Sequence, residues 1–156
     1  MKLQIGDDAP EFNLLDENNN NHSLFNYKGK WLLLYFYPKD HTAGCIKEAC
    51  TIRDNFAGFR KLYVVVVGVS IDSVKSHKSF VEKYNLPFTL LSDEKKEVVN
   101  IYGVWGKKKF MGREYDGTFR TSFLINPKGE IEKIYENVKP AEHSKEVLKD
   151  LNNLKH

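Results

Sequence analysis

Cys45 and Cys50 are the only two cysteines in a chain of 156 residues, and they stand five positions apart. Two are too few for a disulfide-stapled scaffold or a four-cysteine zinc site. Cys45 follows Tyr37-Pro38-Lys39-Asp40-His41-Thr42-Ala43-Gly44. It also opens an apolar stripe of Cys45, Ala49, Ile52, Phe56 and Phe59, spaced as on one face of a helix. The spacing predicts a helix over Cys45–Phe59. Cys45 then lies in its first turn, where backbone N–H groups are unpaired and the dipole favours an anion. A thiol there ionises more readily than a free one, and the thiolate is the reactive species. Five helical residues separate the two Cα atoms by about 8–9 Å, whereas a disulfide needs them within roughly 7 Å. A bond between them would require the first turns to unwind. The residues alone leave three uses open: inert packing, since free cysteine suits cores; redox chemistry; and metal binding. His22, His41, His77 and His143 could join a metal site, but none shows a close two-cysteine, two-histidine spacing. The C-x-x-C pattern of dithiol oxidoreductases is absent.

The elements around this segment follow from periodicity. Trp31–Tyr37 and Tyr63–Val69 are nearly continuous apolar runs, which suits strands buried on both faces. Phe12-Asn13-Leu14 and Ser23-Leu24 flank the polar tip Asn18–Asn21 and predict a short N-terminal hairpin. Ser73 can cap a helix with Val74, Phe80, Val81 and Tyr84 as buried positions. Phe88–Leu91 reads as a strand, and Val98, Val99 and Tyr102 mark a helix closed by Gly103. Phe119–Ile125 and Ile131–Tyr135 flank the turn Asn126-Pro127-Lys128-Gly129. Pro140 opens a last helix with Val147, Leu148, Leu151 and Leu154 inside. This order predicts an α/β, thioredoxin-like fold: a mixed central β-sheet flanked by helices, with an N-terminal β-hairpin. Residues 1–156 read as one domain.

Composition excludes other classes. Hydrophobic residues are 41% and charged residues 29%, so the chain is not wholly disordered. The net charge is only +3, and the densest basic run, Lys107-Lys108-Lys109, reads as a solvated loop without stacking aromatics, so no nucleic-acid partner is expected. No apolar run approaches the roughly 20 residues of a membrane helix. The N-terminus has no signal-like apolar region, so a cytoplasmic protein is expected, in a compartment that keeps thiols reduced.

Pro38-Lys39-Asp40-His41-Thr42-Ala43-Gly44-Cys45 fits P-x-x-x-T-x-x-C and resembles the peroxidatic motif of peroxiredoxins. The longer string YFYPKDHTAGCIKEAC is similar to the bacterioferritin comigratory protein, or peroxiredoxin Q, subfamily. Gly6-x-x-Ala9-Pro10-x-Phe12, Tyr102-Gly103-Val104-Trp105-Gly106 and Arg120-Thr121-Ser122-Phe123-Leu124-Ile125 extend the resemblance over most of the chain.

The resemblance implies a peroxidase needing no cofactor or metal. Cys45 would be the peroxidatic cysteine, oxidised to sulfenic acid. Cys50 matches the resolving position and would form an intramolecular disulfide, to be reduced by thioredoxin or a similar dithiol protein. Thr42 would hydrogen-bond thiolate and peroxide. Arg120 would stabilise the thiolate and the charge on the leaving oxygen. Pro38 would shape and shield the loop, Glu48 would hold Arg120, and N–H groups near Gly44 and Cys45 would complete the cradle. Read singly, each has a plainer use. Thr42 could be an N-cap, Arg120 a solvent-facing strand residue, Glu48 an exposed helix charge, and Pro38 a strand terminator.

Two positions depart from the subfamily. Ala43 stands where proline is common, which relaxes the loop backbone. His41 stands where relatives are often acidic or polar, and an imidazolium near the thiolate would favour it. A non-enzymatic redox sensor would use the same Cys45 chemistry. Trp105, Phe110 and Tyr115 could rim the site for an organic hydroperoxide, or be core. A monomer is expected.

Overall fold

The two apolar runs become the middle of a sheet in a computed structural model that describes residues 2–154. β1 (Asn13–Asp16) and β2 (Asn21–Ser23) form the N-terminal hairpin, followed by a 3-10 turn at Leu24–Tyr27. β3 is Trp31–Phe36, α1 Ala43–Asp54, α2 Phe56–Lys61, β4 Val64–Ser70, α3 Val74–Tyr84 and β5 Thr89–Ser92. Then come α4 (Glu97–Ile101), β6 (Trp105–Phe110), β7 (Arg113–Thr118), β8 (Thr121–Ile125), β9 (Ile131–Tyr135) and α5 (His143–Leu154). Seven strands make one mixed sheet in the order β2-β1-β5-β4-β3-β8-β9. β3, β4 and β5 run parallel, and the pairs outside them run antiparallel. This is the thioredoxin-like layout expected from the element order.

Strand periodicity divides the core. Leu33 and Tyr35 of β3 pack with Cys45, Ala49 and Ile52 of α1, Phe80 of α3 and Val147 and Leu151 of α5. Leu32, Leu34 and Phe36 point the other way, onto Val98 and Val99 of α4 and onto Tyr102 and Phe123. Gly68 of β4 lets Tyr35 lie flat on the sheet, because a Cβ there would stand 2.8 Å from the Tyr35 Cζ. Among the described residues no helix is long and apolar enough to cross a membrane.

Four expectations need correction. The helix over Cys45–Phe59 breaks at Asn55, whose side chain donates to Thr51 O and to Ser144 Oγ of α5. A side-chain amide that takes the preceding turn's carbonyl competes with the helical ladder. Lys107–Lys109 is not a loop but lies in β6, paired with β7 through a two-residue turn at Met111 and Gly112. Both turn residues have positive φ, 52° and 80°, as a tight hairpin requires. Of the α3 positions expected inside, only Phe80 is fully buried, and His77 joins it instead. Leu154 at the end of α5 is exposed.

Candidate active site

Strand β3 ends at Phe36 and the chain turns through residues 37–42 into α1. Thr42 takes the N-cap position, so Cys45 is the third residue of the helix. The thiol is buried, 1% exposed. The Thr42 hydroxyl does not cap the helix. It donates to Lys39 O at 2.8 Å instead, and no side chain caps the first turn. The N–H groups of that turn therefore stay available to an anionic oxygen. Thr42 itself is exposed, and Pro38 is half-buried between β3 and α1.

Arg120 lies just before β8, 75 residues from Cys45 in sequence, with its guanidinium against the Cys45 sulfur. Its Nη2 donates to Cys45 Sγ at 3.2 Å and its Nη1 to Glu48 Oε1 at 3.1 Å. Cys45, Arg120 and Glu48 thus meet as expected, and the plainer readings of Arg120 and Glu48 as solvent-facing residues fail. The approach depends on Gly44. A Cβ there would stand 2.6 Å from Arg120 Nη2, so only glycine leaves the guanidinium its place.

Glu48 is buried, and burial pushes its carboxyl up to about 7, against the lowering pull of Arg120. Its Oε2 and the hydroxyl of Tyr35 are buried without a hydrogen-bond partner among the described residues. Tyr35 is held well above the ordinary phenol range by burial first, then by the charges of Glu48 and Cys45.

The hairpin of β6 and β7 adds a group that sequence reading missed. Lys108 donates to Thr118 O at 3.0 Å. Burial lowers its pKa first, and the charge of Arg120 next, while Cys45 opposes them. It read as a loop lysine because only the hairpin's return brings it toward Arg120. Phe110 and Tyr115 are exposed on this hairpin, at 66% and 47%, and so are not core. Trp105 is half-buried beneath the Lys96 ammonium.

The structure does not bring Cys50 to Cys45. Both are free, and α1 runs unbroken through them. His41, with φ 63°, rests its ring on Phe80 and Tyr84 at 5.1 and 6.5 Å between centroids, and no hydrogen bond joins it to Cys45. A buried thiol with a guanidinium on its sulfur and open helical N–H groups around it can hold a thiolate and stabilise negative charge on an oxygen that the sulfur displaces from a substrate.

The chain resembles known proteins over nearly its whole length. Residues 5–134 match the AhpC/TSA family. The chain is 42% identical to peroxiredoxin Bcp of Bacillus subtilis over 154 residues, which is 99% of this chain and 98% of the relative. A cysteine-to-serine mutant of Xylella fastidiosa peroxiredoxin Q superposes with a TM-score of 0.94 at 32% identity, covering 100% of this chain and 99% of that one. The bacterioferritin comigratory protein of Xanthomonas campestris, studied for alkyl peroxide reduction, has a TM-score of 0.87 at 32% identity over 93% of this chain and 92% of its own. By its sequence, its sheet and the surroundings of its thiol, the chain belongs to the AhpC/TSA family as a thiol-dependent peroxidase of the bacterioferritin comigratory protein, or peroxiredoxin Q, subfamily.

Proposed function

We propose that Cys45 reduces hydrogen peroxide and organic hydroperoxides and that Cys50 resolves the product. The thiolate attacks one peroxide oxygen, the O–O bond breaks, and the other oxygen leaves as water or alcohol after taking a proton. The Cys50 thiol then attacks the Cys45 sulfenic acid, expelling water and leaving a Cys45–Cys50 disulfide. Thioredoxin, or a similar dithiol protein, returns both to thiols and is itself oxidised. Arg120 stabilises the attacking sulfur and the charge on the departing oxygen. Glu48 positions Arg120. Thr42 holds the peroxide, turning its hydroxyl from Lys39 O, and Pro38 shields the loop.

The observation that carries this reading is the 3.2 Å hydrogen bond from Arg120 Nη2 to Cys45 Sγ. The alkyl peroxide activity of the Xanthomonas campestris relative supports organic substrates. A monomer in the cytoplasm fits an internal resolving thiol, which needs no partner subunit and a reducing compartment. The test is peroxide consumption with thioredoxin by wild type, Cys45→Ser and Cys50→Ser, with the products weighed by mass spectrometry. Activity surviving in Cys45→Ser overturns the assignment. Stoichiometric oxidation of wild type without turnover favours a redox sensor.

A further inference from the structure

Asp40 and His77 are 37 residues apart in sequence and meet, buried, where the loop that leads into the Cys45 helix meets α3. Their side chains are 1% and 0% exposed. Asp40 Oδ2 lies 2.6 Å from His77 Nδ1 and accepts from Ser76 Oγ at 2.9 Å, while Oδ1 accepts from the Tyr37 hydroxyl at 2.6 Å. The Asp40 N–H donates to Asp72 Oδ2, which also accepts from Ser70 Oγ. His77 Nε2 stands 2.9 Å from Leu91 O. A carbonyl only accepts, so Nε2 carries a proton, and a further proton lies between Nδ1 and Oδ2. Asp40, Asp72 and His77 bring ligand atoms within 4.8 Å of one another. Hydrogen bonds engage those atoms and join them in one network of donors and acceptors.

This network ties the segment before α1 to α3. A second tie lies at the other end of α1, where Arg53 Nη1 donates to Tyr84 O at 2.6 Å. Helix α3 therefore holds both ends of the stretch that contains Cys45 and Cys50. Between the first tie and the helix come only His41 and Thr42, both exposed. We propose that the Asp40–His77 pair is a clamp fixing the near end of the segment that must unwind before Cys45 can reach Cys50. His77 is then a positioning residue that sets how often the ordered, peroxide-reactive segment opens. The inference rests on the disulfide reading above. Opening lets the Cys50 thiol attack the Cys45 sulfenic acid with loss of water. While the segment stays closed, a second peroxide can oxidise that sulfenic acid to sulfinic acid, releasing its other oxygen as water or alcohol.

The test starts in reduced Cys50→Ser protein, which cannot form the disulfide. Adding His77→Gln is expected to speed amide exchange at residues 41–49 by about tenfold, equivalent to about 1.4 kcal/mol of local opening, with β3 and β4 unchanged. In the protein that retains Cys50, His77→Gln should raise the rate of disulfide formation by a similar factor and lower kcat/KM for peroxide severalfold. Ser76→Ala removes a single donor, should act in the same direction more weakly, and serves if His77→Gln does not fold. Unchanged exchange at residues 41–49, or an equal rise across β3 and β4, overturns the clamp. If exchange responds but no Cys45–Cys50 disulfide forms even in wild type, the clamp stands and the resolving role of Cys50 falls.

Discussion

Asp40 and Glu48 are both buried carboxylates on the chain around Cys45, one before it and one after, but their partners differ. Asp40 accepts bonds at both oxygens and faces a histidine whose other nitrogen is also bonded. Glu48 has one oxygen on Arg120 and one with no partner among the described residues. A fully matched buried network holds backbone in one place, whereas an incompletely matched one stays responsive to a change of charge beside it. The first pair suits a fixed frame. The second suits a guanidinium that must divide itself between a carboxylate and a sulfur whose charge changes during reaction.

The largest expected effect comes from removing that guanidinium. Arg120→Met should lower the rate of peroxide reaction by about 10²–10³, the usual loss for a donor aimed at developing charge. Stopped-flow oxidation measures it, and a loss under about threefold would reduce Arg120 to a structural role. Gly44→Ala should cost about tenfold or more, because its Cβ would displace Nη2 and misplacement of a reacting group carries penalties of that order. The same protein should keep its near-native melting temperature, since the clash falls on the end of a flexible side chain.

Glu48 gives a pH-dependent stability. Its folded value of about 7 lies above its ordinary 4.5. The folded protein thus binds this proton more tightly than the unfolded chain, so this group's contribution falls as pH rises from about 4.5 to about 7. Glu48→Gln removes the ionisation. Urea unfolding should show the variant gaining on wild type across that window, by up to about 3 kcal/mol. A constant difference from pH 5 to 8 would contradict the burial argument. The smallest effect is expected at Lys108. Lys108→Met should change the peroxide rate by about two- to threefold, as an ammonium near Arg120 alters only the surrounding field. That change should shrink in high salt.

The middle of the sheet was legible because strands buried on both faces read as continuous apolar runs, as β3 and β4 do. The break between α1 and α2 was not, because Asn55 is bonded to Ser144, 89 residues away. Cys45, Arg120 and Glu48 were visible through a motif and a resemblance. What holds them was not. Gly44 enters the sequence reading only through its backbone N–H, not through the room it leaves Arg120, and His77 only as one of four available histidines. Both depend on contacts between distant segments, which local patterns do not record. Thr42 occupies the N-cap position that its plainer reading gives it, but its hydroxyl turns to Lys39 O three residues back.

The central claim is that Cys45 is oxidised first and that Cys50 answers it only when the helix opens. Single-turnover oxidation of Cys50→Ser by one equivalent of hydrogen peroxide, quenched with a sulfenic-acid trap and read by peptide mass, tests it most directly. The account predicts one adduct, on Cys45, and in wild type a Cys45–Cys50 linked peptide in its place. An unmodified Cys45 in the variant, or a wild type that traps as sulfenic acid without ever linking to Cys50, would contradict it.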